Sequence, residues 1–249
     1  MRKFGLIGYP LGHSFSKKYF SEKFVSENIP DCSYELFPID SIQKLNPLLD
    51  SEDELCGLNV TIPYKSEIFS FLDYIEPEAL EIGAVNVIKI GKERGKRFLK
   101  GYNSDAAGIS DTVLPYIKGI KSAIVLGTGG SSRAVCHVLE KAGIEVTRVS
   151  RTRQPGILNY SDLNLQLFER SGLIVNTTPL GMFPDIESKP GIDYSLINSK
   201  HILFDLVYNP EVTAFLKEGR SRGCTILGGL TMLHSQAERS WQLWNDPDL

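Results

Sequence analysis

An α/β protein of two domains is what this sequence predicts, on three observations. Short apolar runs alternate with helix-like stretches in two successive series, one before and one after residue 105. Such alternation argues for sheets of parallel type covered by helices. In the second series the apolar run "SAIVLG" (122–127) leads through a glycine-rich turn into a helix-like segment. That local order lets backbone amides face a phosphate. The 249 residues suffice for one large α/β domain or two smaller ones.

The first series opens with "KFGLIGYP" (3–10), expected as a strand. Ser16 is a candidate cap for a helix through "KKYFSEKFVSEN" (17–28), because its hydroxyl can accept from the unpaired amides of a first turn. A strand over "SYELFPI" (33–39), a short helix over 42–49 and a strand over "CGLNVTI" (56–62) follow. "YKSEIFSFLDY" (64–74) and "PEALEIGA" (77–84) read as helices, and 85–103 as two strands joined by a glycine-containing turn. In the second series strands are expected at 122–127, 144–150, 172–178, 201–208 and 224–229, with helices at 132–141 and 231–244. The apolar positions of the last helix recur at the spacing of one helix face.

The composition excludes several function classes. Twenty-seven basic against thirty acidic residues leave a net charge of -3, so nothing favours nucleic acid or an anionic membrane surface. The basic cluster at 92–100 alternates with glycine and apolar residues and belongs to the predicted hairpin. The four cysteines (Cys32, Cys56, Cys136 and Cys224) form no CxxC or Cys/His pair and read as buried reduced thiols, with no metal site. The apolar run at the N-terminus is too short for a signal-peptide core, and no run approaches the roughly 18 residues that span a bilayer. A cytoplasmic location is the expectation.

The glycine turn "VLGTGGSSRAV" (125–135) carries the first chemistry. Gly127 permits the tight turn, and Gly129 lets the backbone approach a pyrophosphate. The helix start at Gly130, Ser131 and Ser132 offers amide donors and a positive dipole end. Ser132 stands where the dinucleotide fingerprint has its third glycine. One strand later comes "VSRTR", with Arg151, Thr152 and Arg153 where an NAD site carries a carboxylate. Guanidinium and hydroxyl groups there suit a 2′-phosphate, so the expected cofactor is NADP.

Other candidates lie in the first series. Ser14 and Ser16 flank one aromatic residue, and two hydroxyls so spaced can donate to one carboxylate; plain helix capping by Ser16 is the alternative. His13 reads as structural. Asn86, Asn103 and Asp105 sit near strand-to-helix turns, where amides suit hydroxyl recognition and Asp105 can alternatively cap a helix. In "GLNVTIPYK" (57–65), Lys65 is either a surface charge beyond a strand end or a reactive amine.

The segments "GYPLGHSFS", "GLNVTIPYK", "IGAVNVI", "GYNSDAAG", "LGTGGSSRAV", "VNTTPLGM", "FDLVYNP" and "GLTMLHSQA" run in the order found in shikimate dehydrogenases, which this chain resembles from residue 8 to residue 237. The resemblance implies a substrate-binding sheet domain (1–105 with 231–249) and a Rossmann NADP-binding domain (106–230), with the active site in the cleft between them. It implies NADPH-dependent reduction of 3-dehydroshikimate to shikimate. Lys65 and Asp105 are then the catalytic pair, and Ser14, Ser16, Asn59, Thr61, Asn86 and Gln236 bind substrate. The cofactor side falls to Gly127, Gly129, Gly130, Arg151 and Thr152, with Arg153 approximating a second family arginine. Thr178, Leu206 and Gly229 adjoin the nicotinamide, and Tyr208 lies between the ligands. The family's proline after the serine motif is replaced by Lys17. A quinate-using relative, or a non-catalytic binder on the same fold, is the alternative. The partner is a small molecule, with monomer and homodimer both open.

Overall fold

The structure is a computed structural model that describes residues 1–12, 15–93 and 95–247. His13 and Ser14 therefore lie outside the described residues. The chain forms two compact units, residues 1–104 with 237–249, and residues 105–236. The expected crossings, after 105 and before 231, differ from these by one and six residues.

The first unit contains β1 (Arg2–Gly8), α1 (Phe15–Ser26), β2 (Cys32–Pro38), α2 (Leu45–Ser51), β3 (Leu55–Val60), β4 (Tyr74–Ile75), α3 (Pro77–Ile82), β5 (Val87–Glu93) and β6 (Lys96–Tyr102). Among the described residues its strands run β2-β1-β3-β5-β6-β4. β1 is parallel to β2 and β3, whereas β5 is antiparallel to both β3 and β6. The sheet is thus mixed, not parallel as expected. The turn at Gly95 (φ 79°) is too short for a crossover and can join only antiparallel neighbours.

Side chains alternate across this sheet with the two-residue period of a strand. Phe4 and Leu6 join a cluster with Phe20 and Phe24 of α1, Val87, Tyr102 and Trp244. Ile7, Leu58, Val60 and Ile88 face the other way, onto Leu45, Leu49 and Ile68. Gly57 admits the Trp244 ring, because a Cβ there would lie 2.4 Å from it. The indole Nε1 donates to the Ile88 carbonyl at 3.0 Å.

Two local expectations are corrected. Helix α1 begins at Phe15, so Ser16 lies in its first turn instead of capping it. Residues 64–74 form turns and a short 3₁₀ segment (Glu67–Phe71), not an α-helix. Tertiary contacts override the helical pattern there. Tyr64 is pulled inward to donate to the Ile39 carbonyl (2.6 Å), and Tyr74–Ile75 joins the sheet edge beside β6.

The second unit contains α4 (Asp105–Val113), β7 (Ser122–Leu126), α5 (Gly130–Lys141), β8 (Glu145–Ser150), β9 (Leu158–Asn159), α6 (Leu165–Arg170), β10 (Leu173–Asn176), β11 (Ile202–Asp205), α7 (Ala214–Ser221) and β12 (Thr225–Leu227). Helix α8 (Gly229–Asn245) starts here and ends in the first unit. The strand order is β12-β11-β10-β7-β8-β9, parallel at every pairing. Counted from β7 this is 6-5-4-1-2-3, the doubly wound nucleotide-binding order. The order reverses between β7 and β10, whose residues are all buried. Of the cysteines only Cys136 is buried, and burial pushes its thiol up to about 11; the others are half-buried, not buried as expected. Among the described residues no helix is long and apolar enough to cross a membrane.

Candidate functional site

In the first unit the predicted substrate residues gather at the ends of β3 and β6 and the start of β5. Asn59, the penultimate residue of β3, is buried with its amide fully engaged. Its Oδ1 accepts from the Tyr34 hydroxyl at 2.8 Å, and its Nδ2 donates to the Asn86 carbonyl (3.3 Å) and to Ser240 Oγ (3.0 Å). Asn86 Nδ2 donates to Ser104 Oγ at 3.0 Å, and its Oδ1 accepts from the Ser104 amide at 2.7 Å. Ser104 and Ser240 hydroxyls lie 3.0 Å apart and close the network. An amide has two N–H donors, and those of Asn59 are both committed. Asn59 thus ties β3 to Asn86 and to α8 through its two N–H donors.

Beyond β3 the chain turns sharply. The Thr61 amide donates to Ile7 O (2.9 Å), and Tyr64 N donates to Thr61 O (3.0 Å). With Tyr64 buried beneath the turn, Lys65 is left half-buried, its carbonyl accepting from Val85 N at 2.8 Å. Gly8 makes room for Thr61, since a Cβ there would lie 2.4 Å from the threonine methyl. Ser16 is half-buried near Tyr34. Burial drives the Tyr34 hydroxyl far above its ordinary pKa, with a hydrogen bond from Ser16 acting the other way.

In the second unit Asp105 opens α4 and is buried, as is Gln236 on α8. The two helices approach closely at Gly108, where a Cβ would lie 2.5 Å from the Met232 carbonyl oxygen. The Gln236 amide nitrogen donates to Leu233 O at 3.1 Å.

At the sheet's reversal point the glycine turn takes the shape its sequence implies. Gly127 has φ 116°, and a Cβ there would strike Thr177 Oγ1 at 2.4 Å. A Cβ on Gly129 would meet nothing within 4 Å, so the start of α5 faces open space. Gly130 and Ser131 are the first residues of that helix. Ser132 occupies the third fingerprint position because its hydroxyl folds back to donate to Gly127 O at 2.7 Å.

The arginine loop lies at the same end of the sheet. Leu126 pairs with Val149, and Gly127 N donates to Val149 O at 2.8 Å. Arg151, Thr152 and Arg153 are all exposed. Asn159 Nδ2 holds the Arg151 carbonyl (2.8 Å), whereas the Arg153 guanidinium pairs with Asp162 at 2.8 Å. The loop therefore leaves Arg151 exposed and ties Arg153 to a carboxylate.

Thr178, Leu206, Tyr208 and Gly229 follow β10, β11 and β12, at the same end of the parallel sheet. A Cβ on Gly229 would lie 2.3 Å from Leu206 O, so only glycine fits. Tyr208 is half-buried, and burial raises its pKa. These loops rest on a group that sequence reasoning did not single out. Asp205 accepts from Asn176 Nδ2, Val207 N (both 3.0 Å) and Thr213 Oγ1 (2.5 Å). The signal was a carboxylate ending the apolar run "ILFD". Tyr34, Ser104 and Ser240 were missed as well, because one hydroxyl in a strand or helix has no local pattern.

Comparison with known proteins agrees with this geometry. The family model described as the shikimate dehydrogenase substrate binding domain matches residues 6–88. A protein of Methanococcus aeolicus named shikimate dehydrogenase (NADP(+)) is 35% identical, over 98% of this chain and 93% of that one. The crystal structure of shikimate dehydrogenase from Aquifex aeolicus shares 32% identity with a TM-score of 0.85, covering 100% of this chain and 94% of that one. The Thermus thermophilus shikimate 5-dehydrogenase, solved in complex with NADP(H) and shikimate, is 31% identical with a TM-score of 0.84, over 98% and 94% of the two chains. The chain belongs to the shikimate dehydrogenase family.

Proposed function

Starting from membership of that family, we propose that this protein catalyses the reversible NADPH-dependent reduction of 3-dehydroshikimate to shikimate. The observation that carries this reading is one doubly wound unit with an open glycine turn and an exposed Arg151, in one chain with a unit that holds half-buried Lys65 and the buried amides Asn59 and Asn86. NADP is the cofactor: Gly127, Gly129, Gly130 and Ser131 would hold its pyrophosphate. Arg151 and Thr152 would hold its 2′-phosphate, and Thr178, Leu206 and Gly229 its nicotinamide end. When bound, it supplies the hydride.

The residues of the chain supply position and a proton. Ser14 and Ser16 donate to the substrate carboxylate, while Asn59, Thr61, Asn86, Gln236 and Tyr208 fix the ring. Lys65 as ammonium stabilises negative charge developing on the ring oxygen and donates its proton; in reverse, the neutral amine accepts it. Asp105 holds the hydroxyl whose hydrogen is exchanged. The binding site restricts both reactants to one orientation, which supplies much of the acceleration. The same reading has the protein acting in the cytoplasm, as a monomer or homodimer.

The test is a nicotinamide-absorbance assay that crosses shikimate and quinate with NADP and NAD. The reading expects turnover with shikimate and NADP well above the other three combinations. Ligand-dependent thermal stabilisation without turnover would make the protein a binder and refute it.

A further inference from the structure

The C-terminal end of β11 carries a carboxylate that the chemistry above does not use. Asp205 is fully buried and ends a strand of apolar residues. A charge so placed is costly unless hydrogen bonds replace its water. Three donors do so, all neutral: Asn176 Nδ2 and Val207 N on Oδ1, and Thr213 Oγ1 on Oδ2. Burial outweighs the three bonds, which favour the charged form, and leaves the carboxyl raised to about 6.

Each donor belongs to a different part of the site's framework. Val207 lies between Leu206 and Tyr208. Thr213 caps α7, accepting from Leu216 N at 3.3 Å. Asn176 ends β10 and is also fully buried. An ionised carboxylate only accepts, so Asp205 obliges Asn176 to turn its NH₂ inward and its carbonyl oxygen outward. That oxygen then accepts from both the amide (3.0 Å) and the hydroxyl (2.6 Å) of Thr178. One carboxylate thus sets the direction of two loops, the one with Thr178 and the one with Leu206 and Tyr208.

We propose that Asp205 is a positioning residue for the cofactor, bracing the two loops that line its nicotinamide end while leaving the phosphate-binding end untouched. This rests on the reading that Thr178 and Leu206 adjoin the nicotinamide and Arg151 the 2′-phosphate. The glycine turn and Arg151 follow β7 and β8, while Asp205 acts on segments after β10 and β11. Its loss should therefore divide the cofactor into two halves with different fates.

The experiment compares NADPH with 2′,5′-ADP, a fragment that has the 2′-phosphate and lacks the nicotinamide. Asp205→Ala should raise the KM for NADPH about tenfold or more, the order expected when buried donors are orphaned. The inhibition constant of 2′,5′-ADP should stay within twofold or so of the native value. Asp205→Asn keeps an acceptor for Asn176 and Val207 and should recover most of the NADPH affinity. If Asp205→Ala does not fold, Asn176→Ala removes the acceptor of Thr178 and one of the three Asp205 donors, and should show the same division in weaker form. Equal weakening of NADPH and 2′,5′-ADP, or a native KM for NADPH in both alanine variants, would overturn the proposal. If 2′,5′-ADP fails to inhibit the unaltered protein, the Arg151 reading falls, and the NADPH KM alone decides the role of Asp205.

Discussion

At the strand ends of the first unit lie Asn59, Asn86, Ser104 and Ser240, all neutral; at those of the second lies the ionisable Asp205 with Asn176 and Thr213. Both groups are buried and both hold functional loops, yet they are built differently. The neutral network shares its bonds among several amides and hydroxyls, each able to donate and accept. Removing Ser240 leaves Asn59 Nδ2 its bond to the Asn86 carbonyl and Ser104 Oγ its bond from Asn86 Nδ2. The charged network converges on one carboxylate, so direction is fixed more firmly and a single loss orphans three donors. Mixed and parallel sheets lead to this contrast. The antiparallel hairpin β5–β6 brings side chains of three strands to one edge, whereas the parallel sheet sends each chain off into its own loop.

The largest expected effect lies at Lys65, whose carbonyl accepts from Val85 N next to Asn86 of the neutral network. Lys65→Ala should lower kcat by about 10²-fold or more, a usual acid–base contribution, with the shikimate KM little changed. Near-native turnover would remove Lys65 from the chemistry and leave the first unit with binding alone.

A second test uses the charge that distinguishes the networks. The folded state holds the Asp205 proton up to about 6, against about 3.9 in an unfolded chain. Between those values the folded state binds more protons than the unfolded one. The stability Asp205 lends is therefore greatest below about pH 4 and falls as pH rises through about 6, by about 3 kcal/mol in all. Denaturant titrations should show this slope as the difference between the unaltered protein and Asp205→Asn, which has no proton to lose. A difference independent of pH would mean that the buried carboxylate keeps its ordinary affinity for protons.

Smaller effects separate the phosphate end from the substrate end. Arg151→Ala should weaken NADP by about tenfold, the order of one charge-assisted phosphate contact, and NAD hardly at all. Equal losses would place the 2′-phosphate elsewhere. Ser240→Ala should raise the shikimate KM by only about threefold to fivefold, the order of one neutral hydrogen bond. The NADPH KM should not move with it. A tenfold or larger rise would show that the neutral network is as concentrated as the charged one.

What was legible from the sequence was whatever depends on neighbours along the chain. The strand, glycine turn and helix at 122–141 could be read because their residues are consecutive. The arginine loop could be read because it follows one unit later. The 64–74 segment was misread as a helix because its apolar spacing suits one, while the bond from Tyr64 to Ile39 and the edge strand Tyr74–Ile75 come from distant parts of the chain. Asn59 was named from its motif, but the bonds that hold its amide could not be read. Its partners Tyr34 and Ser240 are 25 and 181 residues away.

By itself, then, the sequence determined the two α/β series, the glycine turn, the basic loop one unit later and the family. All of these are written in short contiguous motifs whose backbone requirements are local. Only the tertiary structure decided that the first sheet is mixed, that Ser132 can stand in for glycine by bonding to Gly127 O, and that Arg153 is tied to Asp162. It alone decided that a buried aspartate braces two loops. The physical reason is that a buried polar group must find its partners wherever the fold brings them, and no spacing in the chain records where that is.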